Sequence, residues 1–446
     1  MNFSQLIKSI YLSKNFFLGI GILIFVFVLG SMIPFVLGMA YLLVSLFALI
    51  IVAELYQLYR MKKGLEAKRD APSRLSNGDN NQIYISLRNH YPFDCNYELI
   101  DELPEQFQSR DISFFGSIGS DTEKTIQYSI RPVDRGEYYF GKVNVYVSTF
   151  THMLLRRYQF GSGNLAKVYP SIIQVKKFAF TAISDHLQDV GIKKIRKIGH
   201  NYEFDQIREF VEGDDVRSIN WTATARSTQL MVNQYQDEKS QDVYTIINKG
   251  RVMQMPFNGL TLLDYAINSS LVMLNTAYTK DDHPGLITFN KQVETMIPAS
   301  KKKTQITTIL ETLYNQETDF SEADYIKLTY WIRRKIKRRA LVFLYTNFEG
   351  VVSLKREIEH LKTIAQYQRL IIIIFKNVEI DEMVGKESHN LESIYTKTIA
   401  TKFQAEKHLI IKELHRHGID SILTSPEDLT VNSINKYLEI KKRGLL

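Results

Sequence analysis

The chain has a single cysteine, Cys95. That excludes a disulfide framework or a cysteine-rich metal site within one chain, and it suits a reducing compartment. Also missing are a Walker A loop, a Rossmann glycine fingerprint, an HExxH helix and a nucleophile elbow. Phosphate-cradling, zinc-hydrolase and serine-hydrolase chemistry therefore have no local signature. His415-Arg416-His417 has no partners at metal-ligand spacing and reads as surface. No catalytic residue, metal ligand or cofactor is assigned on these grounds.

Charge is absent from residues 16–53. As one helix this run would be about 57 Å long, against a hydrocarbon core of roughly 30 Å. It breaks near its middle at Gly30-Ser31 and Pro34, residues that favour a turn. Two crossings joined by a very short loop are expected, forming a transmembrane anchor over residues 1–60. The first crossing is short, and would lengthen by snorkelling of Lys14 with Tyr11 as an interfacial anchor. A cleaved signal peptide would have a shorter apolar region and a small-residue cleavage site. Lys8 and Lys14 precede the run, whereas Arg60, Lys62, Lys63, Lys68 and Arg69 follow it. The positive-inside rule then puts both ends, and the soluble remainder, in the cytoplasm.

What is present describes a chain that folds. Hydrophobic residues make up 45% and charged residues 23% of 446, so two or three domains are expected. The net charge of +8 suits proximity to anionic lipid. The run 332–339, IRRKIKRR, could serve nucleic acid, but no nucleic-acid motif accompanies it. It is expected at the end of a helix feeding a strand, where cations favour the helix C-terminus.

Residues 61–79 read as a linker. Over 80–170 the pattern alternates, as in Ile83, Ile85, Leu87 and in Val143, Val145, Val147, with turn clusters between runs. A small β-sandwich domain is expected. Residues 171–242 read as a charged connecting segment. Within it Arg208, Glu209, Asp214, Asp215, Arg217 and Arg226 surround Phe210, Ile219 and Trp221. These charges either pair with one another, arginine holding carboxylates bidentately, or form a partner- or ligand-binding face.

Residues 243–446 alternate between apolar strands (243–247, 285–289, 340–345, 370–375, 421–423) and amphipathic helices (260–277, 304–314, 353–365, 402–415). An α/β domain with a mostly parallel sheet follows, its ligands expected at the carboxyl ends of the strands.

The order G…F…IREFVEGDDVRSINW…AR, with RPVDRGEYYFG at 131–141 and VYP at 168–170, resembles the domain-of-unknown-function 58 family. This resemblance extends over most of the chain. It implies a bacterial inner-membrane protein whose α/β domain is von Willebrand factor A-like. Its motif residues here are Arg208, Glu209, Asp214, Asp215, Arg217, Asn220, Trp221 and Arg226. It also implies partnership with a MoxR-type AAA+ ATPase and related proteins.

Von Willebrand factor A domains carry a metal-dependent adhesion site that begins Asp-x-Ser-x-Ser. Here the corresponding positions are Asn248, Gly250 and Val252, and Asn347 stands after the later strand where an acid is expected. Few anionic oxygens remain for a divalent cation, and Lys249 and Arg251 would repel it. These loops would instead bind a protein, or an anion through the two cations and backbone amides. The resulting expectation is a membrane-anchored, non-catalytic protein-interaction module that contacts lipid through its hairpin. Metal-dependent adhesion and an unrecognised enzyme are the alternatives. Asp214→Ala or Arg217→Ala should cripple assembly or folding, and Asn248→Ala should be nearly silent.

Overall fold

The computed structural model describes residues 9–108, 112–161, 163–171, 173–175, 203–211, 214, 218–227, 229–236, 240–318, 320–387 and 390–443. The chain forms two compact units, Met1–Tyr169 and Pro170–Leu446.

In the first unit, strand β1 (Ile10–Leu12) leads into two apolar helices, α1 (Lys14–Gly30) and α2 (Pro34–Tyr59). Ser13 caps α1, accepting a bond from Asn15 N, and Pro34 opens α2 at the first turn, where its missing N–H costs nothing. The two helices approach closely at the bend. A Cβ on Gly30 would stand 3.0 Å from the Leu37 backbone. The 26 residues of α2 make it long and apolar enough to cross a membrane, while α1 is shorter.

Ten strands follow: β2 (Leu65–Asp70), β3 (Arg74–Ser76), β4 (Asn81–Asn89), β5 (Cys95–Asp101), β6 (Ile112–Ile118), β7 (Glu123–Ile130), β8 (Gly136–Phe140), β9 (Val143–Ser148), β10 (Leu154–Phe160) and β11 (Asn164–Tyr169). They form sheets ordered β1-β10-β9-β5-β6, β2-β4-β7 and β3-β11-β8. One core serves all three: Ile83, Ile85 and Leu87 meet Leu99, Val145, Val147 and Phe140 within it.

The stretch expected as a linker thus supplies two strands. Leu65 and Ala67 are buried while Glu66 and Lys68 face out, a period-2 pattern masked by its charges. Arg69, counted above among membrane-flanking cations, is instead buried, with Nη1 donating to Asp101 Oδ1 at 2.5 Å. Tyr128 donates its hydroxyl to the other oxygen of that carboxylate. Tyr11 is likewise drawn into the sheet. It pairs opposite Leu155, and its ring packs edge-on to Tyr146 at 5.2 Å.

The far end of α2 is tied to the sheets by buried polar groups. Glu54 accepts from Thr149 Oγ1 at 2.5 Å and from Leu154 N at 3.2 Å. Arg156, 3% exposed, donates to the carbonyls of Leu58, Met61 (2.8 Å) and Lys62 (3.0 Å). Its guanidinium lies 4.5 Å from the centroids of both Tyr59 and Tyr158. A helix end leaves carbonyls without partners and attracts a cation, and one arginine meets both needs. Tyr91 donates to Leu58 O at 2.7 Å.

In the second unit, β12 (Glu203–Glu209) and β13 (Met231–Gln236) form an antiparallel ribbon around a short helix, α3 (Trp221–Thr224). The main sheet begins with β14 (Asp242–Asn248). A two-strand turn, β15 (Pro256–Phe257) and β16 (Leu260–Thr261), precedes helix α4 (Leu262–Thr279). Then come β17 (His283–Phe289), β18 (Val293–Ile297), α5 (Gln305–Tyr314), α6 (Tyr325–Lys335), β19 (Leu341–Tyr345), α7 (Val351–Tyr367), β20 (Arg369–Phe375), α8 (Val378–Gly385), α9 (Leu391–Arg416), β21 (Asp420–Thr424) and α10 (Leu429–Arg443).

The sheet order is β18-β17-β14-β19-β20-β21, parallel except for the edge strand β18. It is a mixed sheet with one antiparallel edge. Its central strands are apolar on both faces because helices cover both. In β20, Ile371 and Ile373 join one core while Ile372 and Ile374 join the other. The basic run 332–339 ends α6 and leads into β19.

Candidate functional site

Two places on the second unit gather the residues singled out by sequence. The first is the ribbon of β12 and β13. Arg208 forks onto Asp214, Nη1 to Oδ2 at 2.8 Å and Nη2 to Oδ1 at 2.5 Å. That guanidinium, helped by the Val211 amide at 2.9 Å, holds the Asp214 carboxyl below the usual carboxylate range. Asn220 caps α3 by accepting from Ala223 N at 2.9 Å, and donates to Asn233 Oδ1 at 2.7 Å. These polar residues hold the loop in shape. Asp215 and Arg217 lie outside the described residues.

The remaining motif residues face outward. Phe210 N donates to Leu230 O at 2.8 Å, and Asn220 N to Met231 O at 2.8 Å. Those bonds draw Val211, Leu230 and Trp221 to one end of the ribbon, where they are 61%, 44% and 68% exposed. Glu209 and Arg226 are exposed beside them. Sequence treated Trp221 as an apolar centre for the charges. It is instead a surface side chain, because the four-residue helix that carries it has no buried face.

The second place is the carboxyl edge of the main sheet, where the loops after β14, β19, β20 and β21 converge. Asn248 is fully buried. Its amide donates to Thr346 Oγ1 at 2.9 Å and Tyr325 Oη at 3.3 Å, and its oxygen accepts from Gly250 N at 2.7 Å. Both ends of the amide are spent on the fold, so Asn248→Ala will not be silent. Gly250 is required by close approach, since a Cβ would stand 2.8 Å from Ser321 O.

Lys249 does not face this edge. It is buried against β18, its Nζ 2.5 Å from Glu294 Oε2, which leaves it no charge to offer an anion. Arg251 remains at the edge, 3.2 Å from Glu349. A small cavity of about 90 Å³ separates Asn248 and Asn347 and is bordered by Glu322, Glu349 and Glu357. Among the described residues, no three His, Cys, Asp or Glu side chains converge at metal-ligand spacing.

Beside it lies a larger cavity of about 750 Å³. Val252 and Asn347 reach its wall, along with residues that sequence did not single out: Lys376, Asn377, Phe403 and Lys407. Lys407 donates to Asn347 Oδ1 at 2.8 Å and Phe348 O at 2.6 Å. Burial pushes its ammonium down to about 8, against the pull of Glu349 and Glu406. In sequence Lys407 is one cation among several on an amphipathic helix, and nothing local distinguishes it.

Residues 206–386 match the model of a family described as "Protein of unknown function DUF58". The chain is 24% identical over 208 residues to the uncharacterized protein YeaD of Bacillus subtilis (strain 168). That alignment covers 45% of this chain and 51% of YeaD, so the chain spans about half the length of this curated relative. Among solved structures, the CARDB domain of a Pyrococcus furiosus protein matches 24% of this chain and 94% of its own, at 12% identity and a TM-score of 0.17. The ASH/PapD-like domain of human CEP192 matches 24% of this chain and 87% of its own, at 16% identity and a TM-score of 0.19.

Proposed function

We propose that this chain is a membrane-anchored, non-catalytic protein-interaction module of a bacterial inner membrane, with both soluble units on the cytoplasmic side. The observation that carries the anchor is the state of α2: its most apolar stretch is only 6% buried, while its C-terminal end is locked into the sheets by Glu54 and Arg156. A helix so apolar and so uncovered needs a hydrocarbon surround. Exposed Arg60, Lys62 and Lys63 just beyond it support a cytoplasmic exit.

The sheet order of the second unit, with its antiparallel edge strand, supports a von Willebrand factor A-like reading. The amide of Asn248, consumed by Thr346 and Tyr325, argues against metal-dependent adhesion through that loop. The partner surface is the end of the β12–β13 ribbon, where Trp221 and Val211 lie open beside Arg226. Aromatic and arginine side chains in such a setting anchor protein interfaces. The partner class carried from the family resemblance is a MoxR-type AAA+ ATPase.

The test is affinity purification of the full chain from gently solubilised membranes, with and without ATP, followed by mass spectrometry. Recovery of an AAA+ ATPase that is lost with Trp221→Ala, at an unchanged melting temperature, is the expected result. Absence of any ATPase under both conditions overturns the partner assignment.

A further inference from the structure

The larger cavity at the carboxyl edge is built differently from the rest of this surface. Helix α9 contributes Phe403, Gln404, Lys407, His408 and Ile411, residues spaced three and four apart that share one helical face. Phe375 and Leu423, at the ends of β20 and β21, stand among the other lining residues, with Phe257 and Ile380. This face of α9 therefore borders open space with apolar side chains above and below a lysine. Its volume of about 750 Å³ falls within the range of small-molecule sites.

The cations at the wall differ in their pairing. Arg251 lies 3.2 Å from Glu349, and Lys376 lies 3.1 Å from Asp381. Lys407 has no carboxylate at ion-pair distance among the described residues. Its two hydrogen bonds go to a neutral amide oxygen and a backbone carbonyl. An ammonium has three donors, so one remains for a ligand. Glu349 and Glu406 act on it only at longer range. A single uncompensated cation inside an apolar cavity matches a singly charged anion with a hydrocarbon body. A doubly charged phosphate would bring one charge too many into a low-dielectric space.

We propose that this cavity binds a small amphiphilic carboxylate, with its head group on Lys407 Nζ and its apolar body against Phe403, Phe375 and Leu423. The site uses the loops after β14, β19, β20 and β21, so occupancy would fix their arrangement at the carboxyl edge of the sheet. This inference is independent of the partner assignment above.

The experiment is a saturation-transfer NMR titration of the full chain in lipid nanodiscs with 4-phenylbutyrate, and with neutral 4-phenylbutanamide as control. Empty nanodiscs supply the baseline for partition into lipid. A carboxylate probe of this size is expected to bind at roughly millimolar concentration, and the amide about tenfold more weakly. Lys407→Met should remove that preference, leaving acid and amide equal. Phe403→Ala, at a half-exposed position where folding is not at risk, should weaken both probes while keeping the preference. No saturable binding by the wild type, equal binding of acid and amide, or an unchanged preference in Lys407→Met would each overturn the proposal. So would preferential capture of an acidic peptide over the small acid in a competition titration, since that assigns the cavity to a protein segment.

Discussion

At the scale of the residue, Lys407 and Asn248 decide how the carboxyl edge behaves. Lys407 has its ammonium pushed down to about 8 by burial, from the ordinary 10.5. Below pH 8 both folded and unfolded chains carry the proton, and the buried charge is a constant penalty. Between about pH 8 and 10.5 the folded chain releases it first, so the unfolded chain binds more protons and stability rises with pH. Thermal unfolding of wild type compared with Lys407→Met should therefore show this contribution gained over that window, on the order of 3 kcal/mol at most. The buried tyrosines, whose hydroxyls burial pushes up, act in the opposite sense above about pH 10. Asn248→Ala should cost roughly 1 to 2 kcal/mol, because it leaves the buried Gly250 amide without its acceptor, while the Thr346 and Tyr325 hydroxyls still bond each other at 2.7 Å. A denaturant melt within 0.5 kcal/mol of wild type would refute the bonding described for Asn248.

At the scale of the element, the junction of α2 with β10 is the feature most open to attack. Arg156→Met should destabilise the first unit by about 3 kcal/mol, since the Met61 and Lys62 carbonyls lose their donor, Leu58 O keeps only Tyr91, and the stacking between two rings is lost. Arg156→Lys should rescue little, because a point-like ammonium neither spans the three carbonyls nor lies flat between two rings. Cys95 reports on this. It is fully buried, and burial pushes its thiol up to about 12. Maleimide labelling of native protein should be very slow, and should accelerate sharply in Arg156→Met. Much of the element pattern was legible beforehand. The helix break at Gly30 and Pro34 follows from turn-favouring residues in an over-long apolar run, and the alternating strands of the first unit and the five parallel strands of the second follow from periodicity. What escaped were elements whose pattern is disguised or whose role is non-local. Charges hid the alternation of β2, β18 is an antiparallel edge of five residues, and α8 is a helix of only eight residues, about two turns. Nothing in the sequence sets Arg156 and Lys407 apart, since only the tertiary fold brings carbonyls to them.

At the scale of the whole molecule, the membrane reading makes a topological prediction. In a Cys95→Ala background, a cysteine placed at Met32 in the turn between α1 and α2 should react with a membrane-impermeant reagent applied to intact spheroplasts. A cysteine at exposed Phe320 should react only after lysis. Reversal of that pattern would invert the orientation. The way α2 ends has a further, practical consequence. Glu54 and Leu58 belong to the apolar helix yet are integral to the interior of the first unit, and β1 precedes both helices while completing a sheet. A protease cut at residues 60–64 would therefore not release an intact soluble head. It would strip a strand from the edge of β10 and leave Arg156 facing vacated carbonyl positions. Cell-free preparations that begin after the apolar run should aggregate or misfold for this reason. The junction of α2 with the sheets is a hinge-less root, and on the membrane reading proposed above, shedding the head from a bilayer would amount to unfolding it.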